Sequence, residues 1–184
     1  MIHNHDRSGW FGASDTAKIM GHWQSHTFWH WWGEKLGLWQ THFANLPMLA
    51  GTYYEHAILQ SIGIAQMDRQ IKIRSLRLRV NLDGEDKNTI VEVKTHAKPR
   101  FLVTRPYWMQ CQVQMFAAKK PCKIAAYRLL EEDYQNFFNA IDPGRLTFHP
   151  IVYDKEFIQN QYLPRLRYLA WCLKRGKTPN EADL

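Results

Sequence analysis

Long apolar runs and clustered cysteines are both missing from this sequence of 184 residues. No stretch approaches the roughly 18 consecutive apolar residues of a membrane-spanning helix, so we expect no membrane partner. The opening residues "MIHNHDRSGW" lack the apolar core of a signal peptide, and we therefore expect a cytoplasmic protein. Cys111, Cys122 and Cys172 are odd in number and widely spaced. This excludes a disulfide framework, a CxxC zinc site and a four-thiolate iron–sulfur cluster.

Internal repeats, low-complexity segments and interdomain linkers are also absent from the sequence. Hydrophobic residues make up 45% of the chain, which excludes a disordered protein and is enough for a substantial core. The sequence therefore predicts one domain that spans residues 1–184.

The charge of the chain is unevenly distributed. The formal net charge is +7, and ten Lys or Arg residues lie between positions 69 and 105. The acidic residues in the same stretch are Asp83, Glu85, Asp86 and Glu92. An excess of positive charge around a few carboxylates is typical of a protein that binds a polyanion.

Turn residues and hydrophobic periodicity divide the chain into helices and strands. Helices are predicted within 7–21 and over 25–39, 46–63, 104–120 and 155–176. Strands are predicted over 70–75, 76–84, 89–96, 122–130 and 146–154. We expect Ser14 or Asp15 to cap the first helix, the apolar face of the second to include Trp39, and Pro164 to bend the last. This mixture of elements predicts an α/β fold.

The predicted strand "TIVEVKTH" carries two charged residues in an otherwise buried-type sequence. Glu92 and Lys94 project from the same face, because side chains of a strand alternate. An exposed salt bridge, with a contribution of about 0–1 kcal/mol, is the simpler explanation of such a pair. However, Asp83 ends the preceding strand, and two carboxylates with a lysine fit a Mg²⁺ or Mn²⁺ site.

These residues resemble the core of the PD-(D/E)XK nucleases. Asp83-Gly and Glu92-Val-Lys94 match its motif, with Leu82 where the family name has Pro. Glu55 in "GTYYEHAIL" is similar to the helix glutamate of that core, and "YWMQCQVQM" resembles its Y-x-x-Q-x-Q helix. Together they resemble the lambda exonuclease and YqaJ group of phage recombination nucleases.

The resemblance implies a fold and a set of catalytic roles. The fold would be a restriction-endonuclease-like α/β (α+β) core, in which helices flank a central mixed sheet. One or two Mg²⁺ or Mn²⁺ ions would be held by Asp83, Glu92, Glu55 and the carbonyl of Val93. Lys94 would position the attacking hydroxide, and Gln110 would orient a water molecule or Lys94.

The resemblance also implies contacts to DNA and to a terminal 5′-phosphate. Arg7 and Ser14 have the spacing of an arginine and a serine that hold this phosphate in the group. Arg100 stands where the group has another phosphate-binding arginine, and Asn81 where it often has a smaller hydroxyl residue. Tyr107 and Gln112 are the further candidates for DNA contacts.

The implied activity is a Mg²⁺-dependent 5′→3′ exonuclease that resects linear double-stranded DNA for single-strand annealing recombination. Such an enzyme would be a homotrimer that works beside an annealing protein, encoded by a phage or prophage and active in the bacterial cytoplasm. Two alternatives stay open: a PD-(D/E)XK endonuclease of restriction or repair type, and a non-catalytic DNA-binding module that retains the fold.

Overall fold

The computed structural model of the protein describes residues 7–40 and 45–184. Residues 1–6 lie outside the described residues. They belong to the N-terminal segment "MIHNHDRSGW", for which we expect no signal peptide. The described chain forms a five-stranded mixed sheet in the order β1-β2-β3-β4-β5. The strands are β1 Gln66–Ile73, β2 Leu78–Glu85, β3 Ile90–His96, β4 Cys122–Arg128 and β5 Leu146–Ile151. The helices are α1 Thr16–Ile19, α2 His26–Leu36, α3 Leu46–Ser61, α4 Arg105–Ala118, α5 Glu131–Gln135 and α6 Leu163–Arg175.

The length of the segment between two strands agrees with the direction in which they pair. β1, β2 and β3 are joined by short connections and pair antiparallel. β3 and β4 are joined through α4 and pair parallel, as a crossover helix requires, while β4 and β5 pair antiparallel. The prediction of a mixed sheet with flanking helices is confirmed.

Helices pack on both faces of the sheet, so β3 and β4 are buried on both sides. On one face, Ile124 of β4 and Leu78 of β2 join a core that includes residues of α2, α4 and α6. On the other, Val91 and Val93 of β3 pack against α3. Among residues 7–40 and 45–184, no helix has both the length and the hydrophobicity that a membrane crossing requires.

The second predicted helix ends earlier than its aromatic pattern indicates. α2 ends at Leu36, because Gly37 takes a left-handed backbone conformation with φ of 75°. Trp39 therefore leaves the helix and folds back over Gly33, where its ring occupies the space of a Cβ atom. The indole N–H of Trp39 donates to the carbonyl of His30 at 3.1 Å. The prediction that Trp39 extends the helical face is wrong.

Three other elements differ from the predicted pattern. β1 begins at Gln66, and the predicted strand over 70–75 gives way to a 3₁₀ turn at Arg74–Leu76. The five-residue helix α5 was not predicted. The predicted helix over 155–176 is continuous from 155 to 175, but a π-helical segment, Phe157–Tyr162, leads into α6 within it. Pro164 is the second residue of α6 and follows directly on the π-helical segment.

Candidate active site

The site lies where β2 and β3 separate. Their ladder has only two residue pairs, Gly84 with Val91 and Glu85 with Ile90. Beyond them a carboxylate replaces the backbone partner: the N–H of Val93 donates to Oδ2 of Asp83 at 2.8 Å. The N–H and C=O of one residue point toward the same strand edge, so the carbonyl of Val93 also faces the space between the separated strands. We call this space, with the carboxylates around it, the fork.

Glu92 points from β3 toward α4 and is buried, with an exposed fraction of 1%. Its Oε1 accepts hydrogen bonds from Lys94 Nζ and from Gln110 Nε2, both at 2.5 Å. Its Oε2 accepts one from the side-chain amide of Gln114. Three donors therefore fix one carboxylate, as a buried charge requires.

Gln114 was missed in the sequence, although a signal was present. Gln110 and Gln114 are four residues apart on α4, and side chains at that spacing lie on the same helix face. Gln112, two residues from each, lies on another face and is fully buried. Its Nε2 donates to the carbonyl of Val152 at 2.8 Å, and its Oε1 accepts from the N–H of Asp154 at 2.7 Å. Both ends of the Gln112 amide therefore hold the chain that follows β5.

Lys94 lies beside the carboxylates rather than in bulk solvent. Burial alone would favour its neutral form, but the negative charges of Glu92 and Asp83 outweigh this effect and raise its pKa. Its Nζ also lies 3.4 Å from Gln110 Oε1 and 5.1 Å from the centre of the Tyr107 ring. Tyr107 in turn stacks on Phe101. The ammonium group is therefore charged and held in place at neutral pH.

Three carboxylates share this fork. Burial, followed by the charges of Glu92 and Asp68, raises the pKa of Glu55 in α3 to about 7. Burial and the charges of Glu92 and Glu55 raise the pKa of Asp83 well above its usual range. One lysine does not compensate these charges, so the fork favours binding of a proton or a cation.

A further set of possible ligands adjoins the fork. One ligand atom each of Glu55, His56 and Asp68 lies within 4.8 Å of the others. His56 Nε2 is 2.9 Å from Asp68 Oδ2, and Asp68 lies in β1 between Met67 and Arg69, which pair with Gly84 and Leu82 of β2. His56 therefore pairs with a carboxylate beside the fork. Asp68 precedes the strand predicted over 70–75 but belongs to β1 of the structure.

A cavity of about 180 Å³ opens onto Asp83 and Gln110. Arg7, Ser14 and Asn81, three of the predicted DNA-binding residues, line it. The structure does not bring Arg100 to this cavity: Arg100 is exposed and is not among its lining residues. The predicted phosphate pocket is thus only partly assembled in the described chain.

Two cavity residues not predicted from the sequence are Lys35 and Arg79. Lys35 Nζ lies 2.7 Å from Asp15 Oδ2, and both side chains are buried. Asp15 also accepts from the Gly12 N–H at 2.8 Å and the Trp31 indole at 2.9 Å, so it braces the loop instead of simply capping α1. Lys35 lies one helical turn after Trp31, on the apolar face of α2. This spacing indicates that the lysine side chain is buried.

We compared the sequence and the structure of the chain with those of known proteins. No family model and no curated protein matches the sequence. An alkaline exonuclease from Laribacter hongkongensis is similar, with a TM-score of 0.66 and 20% identity over 92% of this chain and 90% of that one. A phage-related exonuclease from Haemophilus somnus 129PT gives a TM-score of 0.63 and 14% identity over 91% and 96%. The chain shares the fold of these two exonucleases.

The donor set of the fork fits a hard divalent cation. Asp83, Glu92, Glu55 and the Val93 carbonyl offer oxygen atoms only, which Mg²⁺ and Mn²⁺ prefer over nitrogen or sulfur. Glu92 already accepts hydrogen bonds on both oxygens, one of them from Lys94. Any ion it shares must therefore compete with, or displace, one of these donors.

The raised pKa values predict how stability depends on pH. A carboxyl group whose pKa is higher in the folded than in the unfolded state stabilises the fold at low pH, and this contribution is lost as pH rises. For Glu55 the rise from 4.5 to about 7 corresponds to about 3 kcal/mol. The melting temperature of the metal-free protein should therefore fall between pH 5 and pH 8, as calorimetry in EDTA would measure.

Two variants test whether the fork causes this fall. Glu55→Gln should flatten the profile between pH 5 and pH 8. Glu85→Gln is the matched control, because Lys120 and Arg69 outweigh the effect of burial and lower the pKa of Glu85, so its contribution is constant over that range. A Glu55→Gln profile as steep as the wild-type profile would show that titration of Glu55 does not cause the fall.

Proposed function

We propose that the protein is a metal-dependent deoxyribonuclease that hydrolyses linear double-stranded DNA from its 5′ ends. The observation that carries this proposal is the position of the basic cavity directly beside the carboxylate fork. Asp83 belongs to both, while Arg7 and Ser14 lie on the cavity wall. A phosphate in the cavity therefore leaves the adjoining phosphodiester near the carboxylates.

The chemistry divides between the ion and the protein. A bound Mg²⁺ or Mn²⁺ would supply an activated water molecule and neutralise charge on the phosphate. Asp83, Glu92, Glu55 and the Val93 carbonyl would hold it. Lys94, already charged and oriented by Glu92 and Gln110, would offset the negative charge that develops as the phosphodiester is attacked. Gln114 would act as a positioning residue through Glu92.

The cavity favours an exonuclease over the two alternatives. Arg7 and the exposed Ser14 on the cavity wall can donate to a terminal phosphate, which carries more charge than an internal one. An endonuclease would have to hold uncut DNA on both sides of the fork, and closed circular DNA tests for this. A binding module has no use for three carboxylates beside a polyanion, because they weaken its attraction.

The wider role and assembly are proposals that rest on the resemblance. They comprise one nuclease domain over residues 1–184, a homotrimer, a single-strand annealing partner, a phage or prophage origin and action in the bacterial cytoplasm. Exposed apolar side chains on α3, at Leu46, Met48, Leu49 and Tyr53, supply a surface for contact between subunits. Light scattering of the purified protein would measure the number of subunits.

The test uses linear duplex DNA labelled on one strand, with either a 5′-phosphate or a 5′-hydroxyl end. With Mg²⁺, label at the 5′ end should be released as mononucleotides, and EDTA should abolish release. Phosphorylated ends should react roughly tenfold faster, because one charge-assisted hydrogen bond suffices for that ratio. Arg7→Ala should reduce this preference.

Arg100→Ala provides the matched control, since Arg100 lies outside the cavity, and it should preserve the preference for phosphate. Salt is kept constant because phosphate contacts depend on it. Cleavage of closed circular DNA would favour the endonuclease, and activity undiminished in EDTA would rule out the metal-dependent reaction. If DNA binds but is not cut under any condition, the non-catalytic module is the better interpretation.

A further inference from the structure

A second concave surface lies beyond the cavity, away from the carboxylates. We call it the basic groove; it has a volume of about 560 Å³. It is lined by Trp10, Arg74, Ser75, Arg77, Arg167, Ala170, Trp171, Lys174 and Arg175. Its walls come from the loop before α1, the turn between β1 and β2, and α6. Five cationic side chains thus converge from two distant parts of the sequence.

No acidic residue is among those that line the basic groove. Within residues 7–40 and 45–184, Arg74, Arg167, Lys174 and Arg175 form no ion pair with a carboxylate. Arg77 donates to the carbonyl of Gly9 at 3.4 Å, which leaves its charge uncompensated. Uncompensated positive charge in a concave surface attracts polyanions.

Two tryptophans distinguish this groove from a merely basic surface. Trp171 on α6 has an exposed fraction of 41%, and the guanidinium of Arg175 lies 4.7 Å from its ring centre. Trp10, which also lines the groove, is partly exposed. Aromatic rings and guanidinium planes stack on unpaired bases, which a duplex does not offer. The groove therefore fits a single strand better than a duplex.

The basic groove and the cavity are connected. Trp10 lines both. Along β2, Arg79, Asn81 and Asp83 follow one another at every second residue and line the cavity up to the fork, and Arg77, directly before β2, lines the groove. From Arg77, which directly precedes β2, to Asp83 the chain spans at most roughly 20 Å at about 3.3 Å per residue. About six stacked nucleotides cover that distance at 3.4 Å each.

We propose that the basic groove binds the single-stranded 5′ tail of a DNA end whose first paired nucleotides lie at the fork. A blunt end would place its terminal phosphate in the cavity and leave the groove empty. A tail of about six nucleotides reaches Arg77, which lines the groove together with Trp171, so the protein accepts tailed ends as well as blunt ones. This inference rests on the proposed function for the location of the cut, but the binding site itself does not.

The first experiment measures binding without cleavage. In EDTA, fluorescence anisotropy of a labelled twenty-nucleotide oligothymidine should report binding that Trp171→Ala weakens roughly tenfold, the effect of losing one stacking ring. Arg167→Glu, a substitution of an exposed side chain, should weaken it at least as much. Trp29→Ala is the matched control, since Trp29 is a similarly exposed tryptophan, 36%, on α2 outside the groove.

The second experiment compares rates on duplexes with blunt ends, one-nucleotide 5′ tails and six-nucleotide 5′ tails. Trp171→Ala should lower the ratio of the six-nucleotide rate to the blunt rate several-fold through a higher KM, while Trp29→Ala keeps the wild-type ratio. Absence of cleavage with intact oligothymidine binding would overturn the proposed function but not the groove.

Three results would overturn the inference. Oligothymidine binding unchanged in both groove variants would show that the groove holds no strand. An equal loss of affinity for a blunt duplex would make it a contact to the duplex backbone. Competition by polyglutamate as effective as that by oligothymidine would make it a general polyanion surface.

Discussion

Asp83→Asn is expected to lower turnover on linear duplex DNA by roughly a thousandfold or more and, at the same time, to raise the stability of the metal-free protein. The amide oxygen can still accept the N–H of Val93, so the fork keeps its shape. The lost charge removes a metal ligand. It also removes the repulsion by Glu92 and Glu55 which, after burial, raises the pKa of Asp83. Function and stability should therefore change in opposite directions.

Single-turnover rates with Mg²⁺ and melting temperatures in EDTA at pH 8 measure the two effects. A gain of about 1 kcal/mol corresponds to roughly 2–4 °C for a chain of this size. Mg²⁺ should raise the melting temperature of the wild type more than that of Asp83→Asn. Retention of a tenth of the wild-type rate would remove Asp83 from the metal site.

Asp86→Asn is the matched control for this substitution. Asp86 lies in the exposed turn between β2 and β3, where the backbone N–H groups of Asn88 and Thr89 lower its pKa. Its amide variant should leave turnover unchanged and give no gain in stability. A gain equal to that of Asp83→Asn would mean that general reduction of charge, and not relief of repulsion at the fork, stabilises the protein.

The sequence predicted the strand part of the site well, because alternation is a local rule. Glu92 and Lys94 do share a face of β3, and their side chains are in contact. The approach of Asp83 to Val93 had no local signal: it depends on the separation of β2 from β3 after two residue pairs, which is a property of the whole sheet. Strand periodicity therefore identified the residues but not the fork between them.

The contacts of α4 were harder to predict than those of β3. The Y-x-x-Q-x-Q pattern pairs Gln110 with Gln112, but residues two apart on a helix lie on different faces. The i, i+4 rule would have selected Gln114, which binds Glu92. Trp39 shows another limit, since a left-handed Gly37 ended α2 before the aromatic pattern did.

Lys94→Ala should also lower turnover by at least a hundredfold. Unlike Asp83→Asn, which should stabilise the metal-free protein, it should destabilise the fold. Because the pKa of Lys94 is raised, its stabilising contribution is fully present below pH 10.5 and is lost only at higher pH. Removing one partner of a buried ion pair costs roughly 3–5 kcal/mol. Gln110 and Gln114 continue to bind Glu92, so we expect a value near the lower limit, a fall on the order of 10 °C in melting temperature.

Lys87→Ala, at an exposed position in the turn between β2 and β3, is the control for loss of positive charge and should change neither quantity. Circular dichroism at 20 °C would show that Lys94→Ala remains folded when its rate is measured. DNA affinity in EDTA should survive, since the lysine acts on the developing charge of the reaction rather than on the bound duplex. If Lys94→Ala cleaves DNA at nearly the wild-type rate but melts earlier, Glu92 and Lys94 form a structural ion pair only. The carboxylates and the cavity must then account for catalysis without the lysine.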